Sequence, residues 1–84
     1  MPYSIEIKPS VFKVLKRIPR DDQIQIAKKI NALADDPRPA HCVKLADSSF
    51  YRVRYGDYRI IYQVQDDRLM ILILKVGHRK DVYR

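Results

Sequence analysis

The sequence predicts an α+β domain in which an N-terminal helical hairpin packs on a mostly antiparallel sheet, with the element order βααβββ. Two observations lead to this fold. The N-terminal half has one segment of alternating apolar and polar residues followed by two segments with helical spacing, and the last third is rich in aromatic and β-branched residues. A single domain is expected over residues 1–84, because a chain of this length with 46% hydrophobic residues can bury one core.

The first strand is expected over Tyr3 to Lys8, where apolar and polar side chains alternate. Pro9 and Ser10 then offer a strand stop and a helix cap. The first helix is expected to end near Pro19, and its inward-facing residues recur at helical spacing: Val11, Val14, Leu15 and Ile18.

The second helix is expected to begin at Asp21 or Asp22, either of which can act as its cap. Pro37 and Pro39 prevent its continuation. Its inward-facing residues also recur at helical spacing: Ile26, Ala27, Ile30, Leu33 and Ala34. The two helices therefore form a hairpin.

The connection over residues 38–49 shows no clear periodicity, apart from a possible short strand around residues 43–45. Three antiparallel strands are expected after it, at Phe50 to Tyr55, Tyr58 to Gln65 and Leu69 to Val76. Gly56 and Asp57 between the first two suit a two-residue hairpin in which the glycine takes a positive φ.

This hairpin predicts a cluster of three arginines. If Tyr55 faces Tyr58, then Arg54 faces Arg59, and Arg52 lies on the same face of the sheet. Opposed like charges cost up to about 1 kcal/mol, so the cluster is unfavourable unless it binds something. Guanidinium groups match phosphate oxygens in a bidentate way, which favours an anion site. A solvated polar face is the alternative interpretation.

Composition narrows the classes of partner and cofactor. The formal net charge of +7 and the sequence pI of about 9.8 favour polyanionic partners. Cys42 is the one cysteine, which excludes a disulfide framework, and one Cys with two His is too few ligands for structural zinc. The longest apolar run, Leu69 to Leu74, is too short to span a bilayer. We expect no metal, no cofactor, no membrane association and a location in the reducing cytoplasm.

The C-terminal tail is basic and carries one aromatic residue. Gly77 is expected to let the chain turn away from the sheet. A tyrosine among basic residues suits single-stranded nucleic acid, and the tail contains Tyr83 with Arg79, Lys80 and Arg84. A frayed terminal aromatic is an equally compatible interpretation of Tyr83.

Three segments resemble the RelE family of bacterial and archaeal toxins: Tyr51-Arg52-Val53-Arg54-Tyr55, Tyr58-Arg59-Ile60-Ile61-Tyr62-Gln63-Val64 and Val76-Gly77-His78-Arg79. With the helical hairpin, the resemblance covers nearly the whole chain. It implies a single RelE-like toxin domain that cleaves messenger RNA in the ribosomal A site and is silenced by a RelB-like antitoxin. The alternative is a ParE-like toxin of the same architecture that inhibits DNA gyrase by binding alone. A nucleic-acid-binding module without catalysis is a third interpretation.

The resemblance also implies roles for individual residues. Arg59 would stabilise charge on the phosphorane that forms when a 2′-hydroxyl attacks the adjacent phosphate. Arg79 would assist the leaving group, and Tyr83 would stack on a base near the cut. Arg52 and Arg54 stand where the best-known members of the family carry lysines, and a guanidinium group hardly accepts a proton.

His78 is therefore the candidate proton donor or acceptor, since histidine can exchange a proton near neutral pH. A surface histidine without a chemical role is the alternative interpretation. The expected catalytic set is Arg59, Arg79, Tyr83, Arg54, Arg52 and His78. The expected RNA-binding set is Arg52, Arg54, Lys80 and Arg84.

Overall fold

The computed structural model, which describes residues 2–46 and 49–78, has the predicted α+β fold. The elements are β1 Ser4–Ile7, α1 Pro9–Leu15, α2 Arg20–Ala32, β2 Val43–Lys44, β3 Phe50–Tyr55, β4 Tyr58–Gln65 and β5 Met70–His78. A single 3₁₀ turn, Asp66–Arg68, joins β4 to β5. The short strand considered in the connection is confirmed as β2.

All five strands belong to one sheet with the order β1-β5-β4-β3-β2. Strand β1 runs parallel to β5, and the other neighbours are antiparallel. Within the described chain, both helices pack on one face of this sheet, where their buried residues meet those of the strands. We call the other side of the sheet the open face.

The core lies between the helices and the sheet. Alternate residues of the three central strands point into it, including Val53, Ile60, Tyr62, Ile71 and Ile73, which are at most 1% exposed. The Tyr62 hydroxyl donates a hydrogen bond to the Pro37 carbonyl at 2.8 Å, which satisfies a polar group inside the core. Burial raises the pKa of Tyr62 well above its ordinary value.

Helix α1 differs from the prediction at both ends. It begins at Pro9, whose fixed φ suits the first helical position, and Lys8 is the N-cap residue without a side-chain capping bond. Ser10 lies inside the first turn, so its prediction as a cap is wrong. The helix ends at Leu15 rather than near Pro19, because the chain turns over residues 16–18 to bury Ile18 in the core.

Helix α2 also begins earlier than predicted. Its N-cap is Pro19, and Asp21 and Asp22 lie in the first turn instead of capping it. Carboxylates in a first turn still interact favourably with the helix dipole. The inward stripe is confirmed at three positions, since Ile26, Ile30 and Leu33 are buried. The prediction is wrong for Ala27, which is exposed, and Ala34 is half-buried at the helix margin.

The connection after α2 is held by a polar network that no sequence pattern indicated. Arg38 bonds to the Asp66 carboxylate with both terminal nitrogens, the shorter contact being 2.7 Å. Its Nε donates to the Tyr51 hydroxyl at 2.9 Å, and the Tyr3 hydroxyl donates to Asp66 at 2.6 Å. Hydrogen bonds from Arg38 and Tyr3 lower the pKa of Asp66. The network joins the N-terminus, the connection and the 3₁₀ turn.

Strand β5 corrects two expectations. It begins at Met70 because Leu69 takes a positive φ of 50°, and it continues through Gly77 to His78. Gly77 pairs with Arg59 inside the ladder, so the prediction that the chain leaves the sheet there is wrong. The helices bury only one side of the apolar run from Leu69 to Leu74. On the open face, its residue Leu72 remains half-buried.

Neither helix in the described part of the chain has the length and hydrophobicity that a membrane span requires.

Candidate nucleic-acid interface

The β3–β4 hairpin sets the geometry of the candidate site. Gly56 has a φ of 56°, as predicted for the first residue of its two-residue turn. The predicted register is confirmed over its whole length, from the Tyr55–Tyr58 pair next to the turn to the Tyr51–Tyr62 pair. Because side chains alternate along each strand, this register determines which residues share a face.

Three arginines occupy the open face at the turn end of the hairpin. Arg54 pairs with Arg59, and Arg52 pairs with Ile61 on the same side of the sheet. Arg54 is exposed, whereas Arg52 and Arg59 are half-buried and their Nε atoms are shielded from solvent. The side chains of Arg52 and Arg59 therefore lie against the sheet. We call this group, Arg52, Arg54 and Arg59, the arginine face.

Lys75 lies on the open face in the row of Arg52, although no pattern in the sequence predicts it there. It pairs with Ile61, which stands between it and Arg52 in one row across the sheet. A register shift between Ile61 and Tyr62 adds one residue to β5 before this position. Simple alternation along the apolar run does not reveal such a bulge, so only the pairing with β4 places Lys75 here.

His78 lies on the opposite side of the sheet. It pairs with Tyr58, whose ring packs against the core, and the two rings meet nearly at right angles with centroids 5.9 Å apart. Its Nε2 is 3.9 Å from a carboxylate oxygen of Asp57 in the hairpin turn. The structure thus separates His78 from Arg59, although the two residues are close along the sheet.

The remaining predicted site residues, Arg79, Lys80, Tyr83 and Arg84, lie outside the described residues. The arginine face and His78 are therefore the parts of the predicted site whose geometry is defined.

A polar cleft of about 560 Å³ adjoins the arginine face at the edge of β3. Lys29 of α2 and His41 of the connection line it together with Arg52 and Arg54. The sequence patterns assign no function to Lys29 or His41, because each comes from a different part of the chain. No local signal places them beside the hairpin.

The arrangement is suited to stabilising an anion. Guanidinium groups on adjacent strands can bracket one phosphate, and their planar donors match two of its oxygens. Groups fixed on a sheet also need little reorganisation when negative charge develops between them. The open face can therefore both hold a phosphodiester and stabilise a more highly charged species formed from it.

Comparisons with known proteins find relatives over nearly the whole chain. Residues 5–83 match a family model described as the ParE toxin of the type II toxin-antitoxin system parDE. An Escherichia coli protein named as a RelE-like toxin is 30% identical over 87 residues, which are 99% of this chain and 92% of that protein.

Solved structures share the fold. A chain in the crystal structure of the archaeal RelE-RelB complex from Pyrococcus horikoshii OT3 is 32% identical and superposes with a TM-score of 0.86. The match covers 98% of this chain and 100% of that chain. The intact Escherichia coli RelBE toxin-antitoxin complex contains the same fold at 20% identity, with a TM-score of 0.80 over 90% of this chain and 95% of that one.

Proposed function

Since this chain belongs to the RelE/ParE family of toxins of type II toxin-antitoxin systems, we propose that it is an endoribonuclease that cleaves messenger RNA in the ribosomal A site. The observation that carries the proposal is the pairing of Arg54 with Arg59 on the open face, with Arg52 beside them. A toxin that acts only by binding a protein does not require opposed guanidinium groups. An enzyme that stabilises a phosphorane can use the positive charge that they concentrate.

The proposed reaction is an internal transfer of the phosphate. The 2′-oxygen forms a bond to the adjacent phosphorus as its proton passes to water, and the bond from phosphorus to the 5′-oxygen breaks as that oxygen gains a proton from water. The products are a 2′,3′-cyclic phosphate and a 5′-hydroxyl. Arg59 stabilises the added charge of the intermediate, and Arg52 with Arg54 holds the phosphate oxygens.

Positive charge and orientation supply most of the catalysis in this proposal. The ribosome holds the message, so the attacking 2′-hydroxyl is aligned before the toxin acts. The guanidinium groups supply the positive charge that stabilises the phosphorane, and we expect cleavage without a metal ion. By resemblance, Arg79 assists the leaving group and Tyr83 stacks on a base beside the cut.

We further propose a RelB-like antitoxin as the partner that silences this toxin in the cytoplasm. The related Pyrococcus horikoshii chain was solved in a RelE-RelB complex. Here the open face offers half-buried apolar residues on β5, such as Leu72, next to the arginine face. An antitoxin segment with apolar and acidic residues matches both features, and the complex should weaken as salt is added. A neighbouring reading frame with an acidic segment is the simplest source of such a partner.

Inhibition of DNA gyrase is the alternative that the ParE description of the family model raises. The RelE names of the relatives and the arginine pair favour the nuclease. Primer extension on a defined message with purified ribosomes tests the proposal. We expect cuts within codons in the A site and no cuts in the same message without ribosomes. An intact message together with inhibited DNA supercoiling would select the alternative.

A further inference from the structure

We propose that a nucleotide next to the cut site binds in two adjoining clefts beside strand β3. Its phosphate lies in the polar cleft against Lys29 and His41, next to the reacting phosphate that Arg52 and Arg54 hold, and its base lies in an apolar cleft between α2 and the sheet. The inference rests on the proposed function, because it extends the path of an RNA strand that crosses the arginine face.

The polar cleft has the chemistry of a phosphate site. Lys29, His41, Arg52 and Arg54 contribute three cationic groups and an imidazole from α2, the connection and β3. Among the described residues, those that line this cleft include no Asp or Glu. Arg52 and Arg54 belong to both the polar cleft and the arginine face. An RNA strand held at Arg59 can therefore continue into the cleft along positively charged groups.

The second cleft has the chemistry of a base site. It has a volume of about 290 Å³ and shares Lys29 and His41 with the polar cleft, so the two clefts adjoin, and together we call them the depression. Buried Leu33 and Val53 lie at its base, and Ala32 with Pro39 contributes to its walls. An apolar cleft of this kind can take up an uncharged planar group such as a nucleobase.

The edge of β3 explains why the depression exists. Strand β2 pairs only with Arg52 and Tyr51, so in the described chain no strand lies beside Val53 at this edge. Helix α2 passes above the gap and leaves room between Leu33 and Val53. The short length of β2 thus opens a site that a full-length edge strand would fill.

The polar groups of the apolar cleft suit the edges of a base. Gln25 and Asp36 line this cleft and can hydrogen-bond to such edges. Lys28 and Lys29 line it as well and would attract an acidic side chain, so an acidic peptide is the competing ligand in the test. A nucleotide places its phosphate in the polar cleft and its uncharged base against the apolar residues of the second cleft.

The test measures binding of a 2′-O-methyl tetraadenylate, which cannot be cleaved, to the full chain at several salt concentrations. Lys29→Ala should weaken binding about tenfold and should lower the salt slope by about 0.7, the value for one phosphate contact on a single strand. Lys16→Ala is the matched control, because Lys16 is exposed at the end of α1 and lines neither cleft. It should change affinity less than twofold.

The base half is tested with Ala32→Phe, which fills the apolar cleft from an exposed position at the end of α2. Wild type should bind the tetraadenylate at least about fivefold more tightly than the matching chain of four abasic nucleotides. Ala32→Phe should reduce this preference while it retains the wild-type salt slope. Thermal unfolding of each variant checks that the fold is kept.

The outcomes separate the two proposals. Equal effects of Lys29→Ala and Lys16→Ala, or an unchanged base preference in Ala32→Phe, would overturn the nucleotide site. If Lys29→Ala lowers the affinity for hexaglutamate but not the affinity for the tetraadenylate, the nucleotide site is also overturned. That result would identify the cleft as a site for acidic peptides. Cleavage on ribosomes by wild type is measured separately, so its failure would contradict the proposed function without altering the binding comparison.

Discussion

Arg54 and Arg59 face each other across the β3–β4 hairpin, so two guanidinium groups belong to adjacent strands on the same side of the sheet. Directly opposed side chains in such a pair have their Cβ atoms about 4.5–5.5 Å apart, and like charges at that separation are destabilising. The repulsion between the two groups lowers the free energy of unfolding of the protein. The same repulsion is relieved when an anion binds between the two groups.

Arg59→Ala is expected to separate stability from activity. Removing one charge of the opposed pair should leave the free energy of unfolding unchanged or raise it by up to about 1 kcal/mol. Cleavage on ribosomes should fall by about 10²-fold or more, because a fixed group that stabilises the developing charge is lost. Urea unfolding and single-turnover cleavage measure the two effects.

The matched control for this change is Arg68→Ala, which removes an exposed arginine in the 3₁₀ turn, away from the arginine face. It should cleave like wild type. An Arg59→Ala protein that unfolds would show that Arg59 is structural and would contradict the charge-stabilisation argument.

Asp66→Asn is expected to remove part of the dependence of stability on acid pH. Hydrogen bonds from Arg38 and Tyr3 lower the folded-state pKa of Asp66 below its ordinary value of 3.8. The carboxylate therefore stabilises the fold fully above about pH 5, and this stability is lost as the pH falls past 3.8 and through the lower folded-state pKa. The variant should be less stable than wild type at pH 7, and the difference should shrink toward pH 2.5.

Asp67→Asn provides the comparison, because Asp67 is the exposed neighbour of Asp66 in the same turn. Free energies of unfolding from urea titrations between pH 2.5 and 7 should follow wild type in this control. If Asp66→Asn shows the same acid dependence as Asp67→Asn, the network at Arg38 does not contribute to stability.

His78→Gln is expected to cleave at the wild-type rate with the same pH profile. The imidazole lies on the helix side of the sheet beside Asp57 and Tyr58, whereas Arg59 lies on the open face. Single-turnover rates across pH 5–8 for wild type and variant check this. A ratio of the two rates that changes with pH would restore His78 as a proton donor or acceptor.

Gly56→Ala is expected to destabilise the hairpin through its backbone alone. A Cβ at this position would meet no atom within 4 Å, but the φ of 56° is unfavourable for alanine. The cost should be about 1 kcal/mol in the free energy of unfolding. Gly56→Asn should cost less, because asparagine tolerates the left-handed region better. Equal losses for the two variants would show that the backbone conformation is not the cause.

Local chemistry explains why the sequence alone is sufficient to predict the hairpin. The two-residue turn at Gly56 makes Tyr55 pair with Tyr58. Because side chains alternate between the two faces of a strand, this one pair determines the partner and the face of every other residue in the hairpin. The arginine face therefore follows from the order of residues around a single turn. Helix ends are less predictable, because the burial of Ile18 and the conformation of Pro9 decide them against the expected caps.

The sequence by itself determined the fold class, the register of the β3–β4 hairpin and the arginine face, since each depends on neighbouring residues or on one tight turn. The tertiary structure alone decided that Lys75 lies on the open face and that His78 does not, because a bulge in β5 and its pairing with β4 set their sides. It also decided that Arg38 bonds to Asp66 and that Lys29 lines the same cleft as Arg54. Contacts of this kind depend on how α2 and the connection pack against the sheet, and a periodic pattern within one segment carries no information about that packing.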